Sequence, residues 1–490
     1  MGLNSIKTKI THPVIVAIAA GMYPVLFYYS NNFSLINSWK HLGFFIVMFL
    51  ISPIIIFTVT NRIAKHIFFN KWRSYILPFL NIFTFLFFLE LCLYARIQIG
   101  ITIGITIIAL LVTIFLSRHY KKIIVFQFLL AIIGVFTLVP TISKQLNYSK
   151  EWMIQPDEIE KAVFKKRPNV YFIQPDGYVN FSEIDKGYYE IDNNAFKQYL
   201  EQNDFKIYDD IRSNYNSTLV SNTSIFMMKH HYLNSGFNFT ETIDGREIII
   251  SKNTVLDIFK KNNYKTHFLA EWSYLLTNYP NMGYDECNID YGDISYLNTG
   301  FTEEQELLTP LKKYIEEDVE RSKFFFIEIF KPGHVPPLKV ETKGAKIERE
   351  IWIKDLKIAN KKLRDVIDII KEGDPNALVM IMADHGGYVG MDYMMQMRIK
   401  TDDRNILYSI FSVNLAIKWP DNEAPKIDKN FRSSVNVFRI LFSYLTENEE
   451  YLNHLQEDAS FLIINKEAPK GIYKCIDENG NVIFKKYNGN

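Results

Sequence analysis

Four short segments carry side chains that could act together. Asp176 stands in Gln174-Pro175-Asp176-Gly177-Tyr178, Thr218 in the polar run from Ser213 to Ser224, His334 in Lys331-Pro332-Gly333-His334-Val335-Pro336-Pro337, and Asp384-His385 directly before Gly386-Gly387. Two carboxylates, an imidazole and a hydroxyl make a mainly oxygen-donor set that suits a divalent cation such as Zn²⁺ or Mn²⁺, with Mg²⁺ also open. Thr218 follows residue types that cap helices and precedes Ile225-Phe226-Met227-Met228, which would continue one. It therefore falls where backbone N–H groups lack intrahelical partners and attract anions such as phosphate. Taken singly, each segment has a bland reading: a Ser/Thr-rich cap, an Asp-Gly turn, a loop histidine between Gly and prolines. Their joint order and spacing favours the functional one.

The elements that must position these residues are strands. Asn169-Val170-Tyr171-Phe172-Ile173 is a β-branched and aromatic run that ends just before Asp176. Further strand candidates are 265–270, 324–330, 377–383 and 408–417, and helical spacing of charged and apolar residues covers 254–261, 303–321 and 347–370. This alternation predicts a mostly parallel sheet flanked by helices, with the site beyond the carboxyl ends of the strands. Residues 434–445 read as an amphipathic helix, and 472–476 with 482–487 as a hairpin about the Asn479-Gly480 turn.

The N-terminal third differs in kind. Five long apolar runs, 12–30, 41–60, 75–95, 99–117 and 123–142, each have roughly 20 residues, enough as helix to cross a hydrocarbon core of about 30 Å. Lys7 and Lys9 precede the first; Arg62, Lys65, Lys71 and Arg73 fill the second connection; Arg118, Lys121 and Lys122 fill the fourth. The other two connections carry only Lys40 and Arg96, so the N-terminus is expected in the cytoplasm and everything after residue 142 outside it. The expected organisation is a transmembrane region over 1–142, a juxtamembrane linker over 143–168, and an extracytoplasmic α/β domain over 169–490. Glu90, inside the third run, is either functional or close enough to Arg96 to reach the interface. Cys287 and Cys475 share the oxidising side and could pair. With 55 basic against 54 acidic residues, the chain lacks the charge of a nucleic-acid binder.

The ordered set Pro168-Asn169-Val170-Tyr171-Phe172 to Asp176-Gly177-Tyr178, Ser213-Asn214-Tyr215 to Thr218 to Tyr232-Leu233, His334 with Pro336-Pro337, and Asp384-His385-Gly386 resembles the alkaline phosphatase/sulfatase superfamily. With five spans ahead of it, the chain is most similar to the membrane-anchored branch that includes lipoteichoic acid synthases and phosphoethanolamine transferases. The resemblance implies that Asp176, Thr218, Asp384 and His385 hold one divalent cation, that Thr218 is also the nucleophile, and that His334 binds substrate or protonates the leaving group. Two-metal members have an Asp four residues before the histidine, where this chain has Phe330, and a further C-terminal histidine, where it offers only His454. A second metal is therefore not expected. Sulfatases proper need a Cys or Ser in a Cys-x-Pro-x-Arg context, and Thr218-Leu219-Val220-Ser221 has neither the Pro nor the Arg.

The expected function is metal-dependent transfer of a phospho-substituent, such as phosphoethanolamine or phosphoglycerol, from a phospholipid to an extracytoplasmic glycan or glycolipid through a phosphothreonine. The expected place is the cytoplasmic (inner) membrane. The rivals are a membrane-anchored phosphodiesterase or phosphatase with water as acceptor, and a sensor or assembly protein that keeps the fold without the chemistry.

Overall fold

The computed structural model describes residues 12–65, 72–233 and 242–487. Lys7, Lys9 and Lys71, used above for orientation, lie outside the described residues. The chain forms two compact units, the first made of Met1–Asn147 with Leu276–Tyr279 and Ile294–Thr302, the second of Tyr148–Leu275, Pro280–Asp293 and Glu303–Asn490.

In the first unit, among the described residues, four helices are long and apolar enough to cross a membrane: α1 (Pro13–Ile36), α2 (Trp39–Ile63), α3 (Arg73–Tyr94) and the 49-residue stretch Ile99–Asn147. The expected fourth and fifth spans both fall in that last stretch, which consists of α4 (Ile99–Leu116) and α5 (Tyr120–Asn147) joined by the tight turn Ser117–His119. Polar contacts order the bundle. Asn81 of α3 donates to the Val16 carbonyl of α1 at 2.9 Å and exchanges hydrogen bonds with Gln127 of α5. About two to four turns further along, Cys92 reaches the Pro24 carbonyl and Ser30 lies 3.0 Å from Thr137. Helices α1, α3 and α5 therefore run in the same direction. Glu90 accepts from the Gln98 backbone N–H at 2.7 Å and from the Thr102 hydroxyl at 3.0 Å, so its carboxylate anchors the start of α4, where the helix dipole favours an anion.

The second unit begins at Tyr148, within the segment expected as a linker. Its first residues pack into it: Arg439 donates to Asp157 at 2.6 Å and to Gln155 at 2.7 Å. Its main sheet has seven strands, β1 (Val170–Pro175), β2 (Phe205–Ile207), β3 (Lys265–Ala270), β4 (Glu286–Cys287), β5 (Lys323–Ile329), β6 (Leu378–Met382) and β7 (Leu415–Lys418), in the order β2-β7-β6-β1-β5-β3-β4. The five strands from β6 to β4 are parallel; β7 runs antiparallel to both β6 and β2. Buried on both faces, the central strands are continuous apolar runs rather than alternating ones.

The expected strand 408–417 starts as helix and only ends as strand. Asp403 caps a helix over Arg404–Phe411 by accepting from the Asn405 and Ile406 N–H groups, and only Leu415–Lys418 is strand. A short apolar run bears no mark of its own state, and here the cap decides. The helix expected over 303–321 is confined to Leu308–Glu316. A second, three-stranded sheet is formed by β8 (Ser460–Ile464), β9 (Gly471–Ile476) and β10 (Val482–Lys486), with the last two antiparallel about the Asn479-Gly480 turn. All three cysteines are free thiols, so Cys287 and Cys475 are not paired.

Candidate active site

Three neighbouring parallel strands end side by side, and each delivers one chemistry-bearing segment. Asp176 follows β1, the His334 loop follows β5 and Asp384 follows β6; β1 lies between the other two. The Asp176 N–H continues the ladder to the Ile329 carbonyl at 2.8 Å, and the Gly333 N–H returns to the Asp176 carbonyl at 2.8 Å. Gly177 has φ +69°, and a Cβ there would overlap the Gly333 carbonyl, so only glycine lets the two loops close on each other. The Gly386-Gly387 pair answers a different demand. A Cβ on Gly386 would meet the Ser409 carbonyl, and one on Gly387 would meet the Trp352 indole, so both allow backbone to approach where side chains would hold it off.

Thr218 is the first residue of α6 (Thr218–Met227), whose ten residues are all buried. The polar run before it is mostly scaffold. Asn214 donates to the Ala459 carbonyl at 2.8 Å and accepts from the Val435 N–H at 2.9 Å. Ser213 donates to the Tyr215 carbonyl at 2.6 Å and lies 3.1 Å from the Ser221 hydroxyl. The Tyr215 hydroxyl is 3.0 Å from His230 Nδ1. Thr218 instead directs Oγ1 to within 3.5 Å of His385 Nε2.

Around that nitrogen lie Asp176 Oδ1 at 3.2 Å and Asp384 Oδ2 at 3.4 Å, both buried and without a hydrogen-bond partner. The metal-ligating atoms of Asp176, Asp384 and His385 all lie within 4.8 Å of one another, and among the described residues this is the one such cluster of three. His385 Nδ1 is 2.9 Å from the Gly386 carbonyl, which can only accept, so Nδ1 carries a hydrogen. In the neutral ring this leaves a lone pair on Nε2, facing two oxygens that also offer lone pairs. Such atoms repel one another unless a cation or a proton lies between them, so the donor set fits a divalent cation, with the carbonyl bond fixing the ring as a metal ligand requires. His334 is not one of the three.

The electrostatics point the same way. Burial pushes the Asp384 carboxyl up to about 6; His385 opposes, Asp176 adds to the rise, and a hydrogen bond from Thr218 opposes. Burial disfavours the imidazolium of His385, but Asp384 and then Asp176 outweigh it and raise its pKa. Protons and the cation therefore compete for the same atoms. The affinity for Mn²⁺ is expected to be full only above the raised pKa of His385, and to fall as the pH drops through it and then through that of Asp384 near 6; calorimetric titration between about pH 5 and 9 measures it, and a flat profile would contradict the assignment.

His334 sits at the rim, exposed to solvent, with ring centroids 5.6 Å from His385 and 5.8 Å from Tyr388. Its Nδ1 is 2.7 Å from the Val335 carbonyl, which directs a hydrogen there and leaves Nε2 as the proton-handling atom. Surrounding protein lowers its pKa, Asp176 opposing and His385 reinforcing. His334→Ala is expected to lower turnover by about 10²-fold or more while Mn²⁺ still binds; loss of the cation in that variant would make His334 a ligand instead.

Two neighbours were not singled out from the sequence. Tyr388, at φ +58°, donates to the Asn216 carbonyl and so ties the Asp384 loop to the turn before Thr218. Glu328 is a lone acid in the apolar strand β5, buried with both oxygens unpartnered; burial, then Asp384 and Asp176, hold its pKa well above the usual range. Its place inside Phe324-Phe325-Phe326-Ile327-Glu328-Ile329 was a readable signal. Three cations could in principle hold a phosphate: of these, Lys331 is paired to Asp355 at 2.8 Å, and Arg212 donates to the Asp458 and Asp477 carbonyls. Arg432 is exposed.

A family model described as Sulfatase matches residues 188–446, more than half the chain and including Thr218, His334, Asp384 and His385. Among curated proteins there is no match to this sequence. Similar solved structures include the C-terminal periplasmic domain of EptC from Escherichia coli, 11% identical over 65% of this chain and 94% of that one, TM-score 0.42, also solved in complex with Zn. The lipoteichoic acid synthase LtaP from Listeria monocytogenes is 12% identical over 66% of this chain and 91% of that one, TM-score 0.42. The integral membrane protein lipooligosaccharide phosphoethanolamine transferase A (EptA) from Neisseria meningitidis is 11% identical over 88% of this chain and 95% of that one, TM-score 0.43.

Proposed function

Because this chain belongs to the sulfatase family, an enzyme family of the alkaline phosphatase/sulfatase superfamily, we propose that it transfers a phospho-substituent, of phosphoethanolamine or phosphoglycerol type, from a phospholipid to an extracytoplasmic glycan or glycolipid. The observation that carries this reading is the Thr218 hydroxyl at the first turn of α6, 3.5 Å from His385 Nε2 and facing the unpartnered oxygens of Asp176 and Asp384. Asp176, Asp384, His385 and Thr218 would hold one divalent cation, Zn²⁺ or Mn²⁺ ahead of Mg²⁺. When bound, that cation acidifies the threonine hydroxyl and neutralises charge on the phosphoryl oxygens.

The residues of the chain supply the rest. The open N–H groups of the first turn of α6 face the phosphoryl oxygens. As the Thr218 Oγ1–P bond forms, the P–O bond to the diacylglycerol breaks; the threonine proton ends on the departing oxygen, carried by His334 Nε2. In the second half the acceptor hydroxyl attacks phosphorus, gives its proton to His334, and the Oγ1–P bond breaks with return of a proton to Thr218. Threonine at this position, without the Pro and Arg that accompany formylglycine formation, favours phospho-transfer over sulfate ester hydrolysis.

Five crossings with the second unit outside the cytoplasm are part of the reading. They are supported by the common direction of α1, α3 and α5, by the tight turn at Ser117–His119, and by a stretch of 49 residues, which as one helix would be about 70 Å long against a core of about 30 Å. An anchored site meets a bilayer donor at high effective concentration.

The test uses the full-length protein in liposomes with head-group-labelled phosphatidylethanolamine or phosphatidylglycerol and purified envelope glycolipids. Label on the glycolipid is the expected result. Release to water alone would replace transfer by hydrolysis, and a protein that neither turns over nor binds the cation would be left as a fold without chemistry.

A further inference from the structure

Gln174 and Asn222 are two buried amides that the mechanism above does not use, exposed by 1% and 0%. The Gln174 amide donates to Asn222 Oδ1 at 2.8 Å, and the Asn222 amide donates to Gln174 Oε1 at 2.7 Å, closing a reciprocal ring between β1 and α6. The positions matter. Gln174 precedes Asp176 by two residues, and i and i+2 share a face of a strand; Asn222 follows Thr218 by four, and i and i+4 share a face of a helix. The ring therefore lies in line with the two functional side chains, one step back along each element.

The surroundings make the choice of amides informative. Phe172, Phe226, Phe326 and Phe438 pack against one another in the same layer, with ring centroids 4.9–6.1 Å apart. Apolar side chains at 174 and 222 would fill such a layer equally well. They would not fix how far α6 slides along β1, because dispersion is nondirectional, whereas paired hydrogen bonds tolerate only a few tenths of an ångström. Each neutral bond adds only about 1 kcal/mol net, so the pair contributes registry more than stability.

We propose that Gln174 and Asn222 are the positioning pair of the site, their reciprocal bonds setting the separation between Asp176 at the end of β1 and Thr218 at the start of α6. The proposal rests on the roles given above to Thr218 and Asp176. Neither amide touches the reacting atoms; they act through the elements that carry them.

The experiment compares two double variants of the full-length protein. Gln174→Met/Asn222→Leu removes the ring without stranding a polar group, and Gln174→Asn/Asn222→Gln exchanges the two side chains and keeps their combined length. Turnover is followed on bis(p-nitrophenyl) phosphate, Mn²⁺ binding by calorimetry, and amide exchange at residues 218–222 in metal-free protein. The apolar pair is expected to lose about 10²-fold in kcat with KM little changed, to bind Mn²⁺ through the retained Asp176, Asp384 and His385, and to exchange faster over 218–222. The exchanged pair should recover kcat to within about tenfold of wild type and restore slow exchange. Wild-type kcat and exchange in the apolar pair would overturn the proposal, as would an exchanged pair that folds, binds Mn²⁺ and recovers neither. Thr218→Ala measured alongside separates the two ideas: full turnover in that variant removes the nucleophile assignment, while exchange over 218–222 still decides the positioning role.

Discussion

Thr218→Ala abolishes turnover, with kcat falling by at least about 10³-fold, in line with loss of a nucleophile rather than of a binding contact. The protein stays folded. The hydroxyl lies in a buried cleft rather than facing bulk solvent, yet its nearest imidazole partner is at a long 3.5 Å, so removing it costs stability no more than about 1 kcal/mol. Helix α6 still starts at the same place, because Ser217 precedes it in extended conformation and the Ser221 N–H bonds to the Ser217 carbonyl at 2.8 Å. The decisive measurement is labelling from a phosphodiester in acid-quenched samples. Wild type retains label on Thr218 and the variant retains none; a labelled or fully active variant would remove Thr218 from the mechanism.

Asp384→Asn and His385→Ala lose activity together with the cation. Changing the partners that orient a metal ligand already costs 10–100-fold in affinity, so removing a ligand atom is expected to cost at least about 10²-fold. The metal-free proteins should differ in a second way. Ionised Asp384 is buried near Asp176, and its pKa raised to about 6 means that at neutral pH the charge destabilises the empty fold, on the order of a few kcal/mol. The sign is that of a raised carboxyl: the penalty is absent below the unfolded value and grows as pH rises through it. Asp384→Asn should therefore melt higher than wild type without metal and show no further rise when Mn²⁺ is added. Thermal unfolding with and without Mn²⁺ checks both; a metal-dependent rise in the variant would take Asp384 out of the ligand set.

The dependence of site on sheet order explains how much could be read in advance. The runs Val170-Tyr171-Phe172-Ile173 and Phe324-Phe325-Phe326 declare themselves as strands because parallel strands covered on both faces need unbroken apolar side chains. The candidate site residues that follow them, Asp176 and His334, were legible for the same reason. Tyr408 to Ile417 misleads because an apolar run alone does not distinguish a short buried helix from a strand, and Asp403, five residues upstream of Tyr408, is what starts the helix. Asn214 and Tyr215 in the polar run are plain in composition but not in role; both hold loops together.

Sequence alone determined the division into an apolar N-terminal region and a charged C-terminal one, the alternation of strands and helices, and the presence of Asp176, His334 and Asp384-His385 at strand ends. Those properties are local, set by the chemistry of neighbours along the chain. Tertiary structure decided that β1 stands between β5 and β6, that α6 brings Thr218 to face them, that the Gly386 carbonyl turns His385 Nε2 inward, and that Gln174 meets Asn222. These depend on which distant segments share a boundary, and hydrogen-bonded pairs across 48 residues or more leave no periodicity to read.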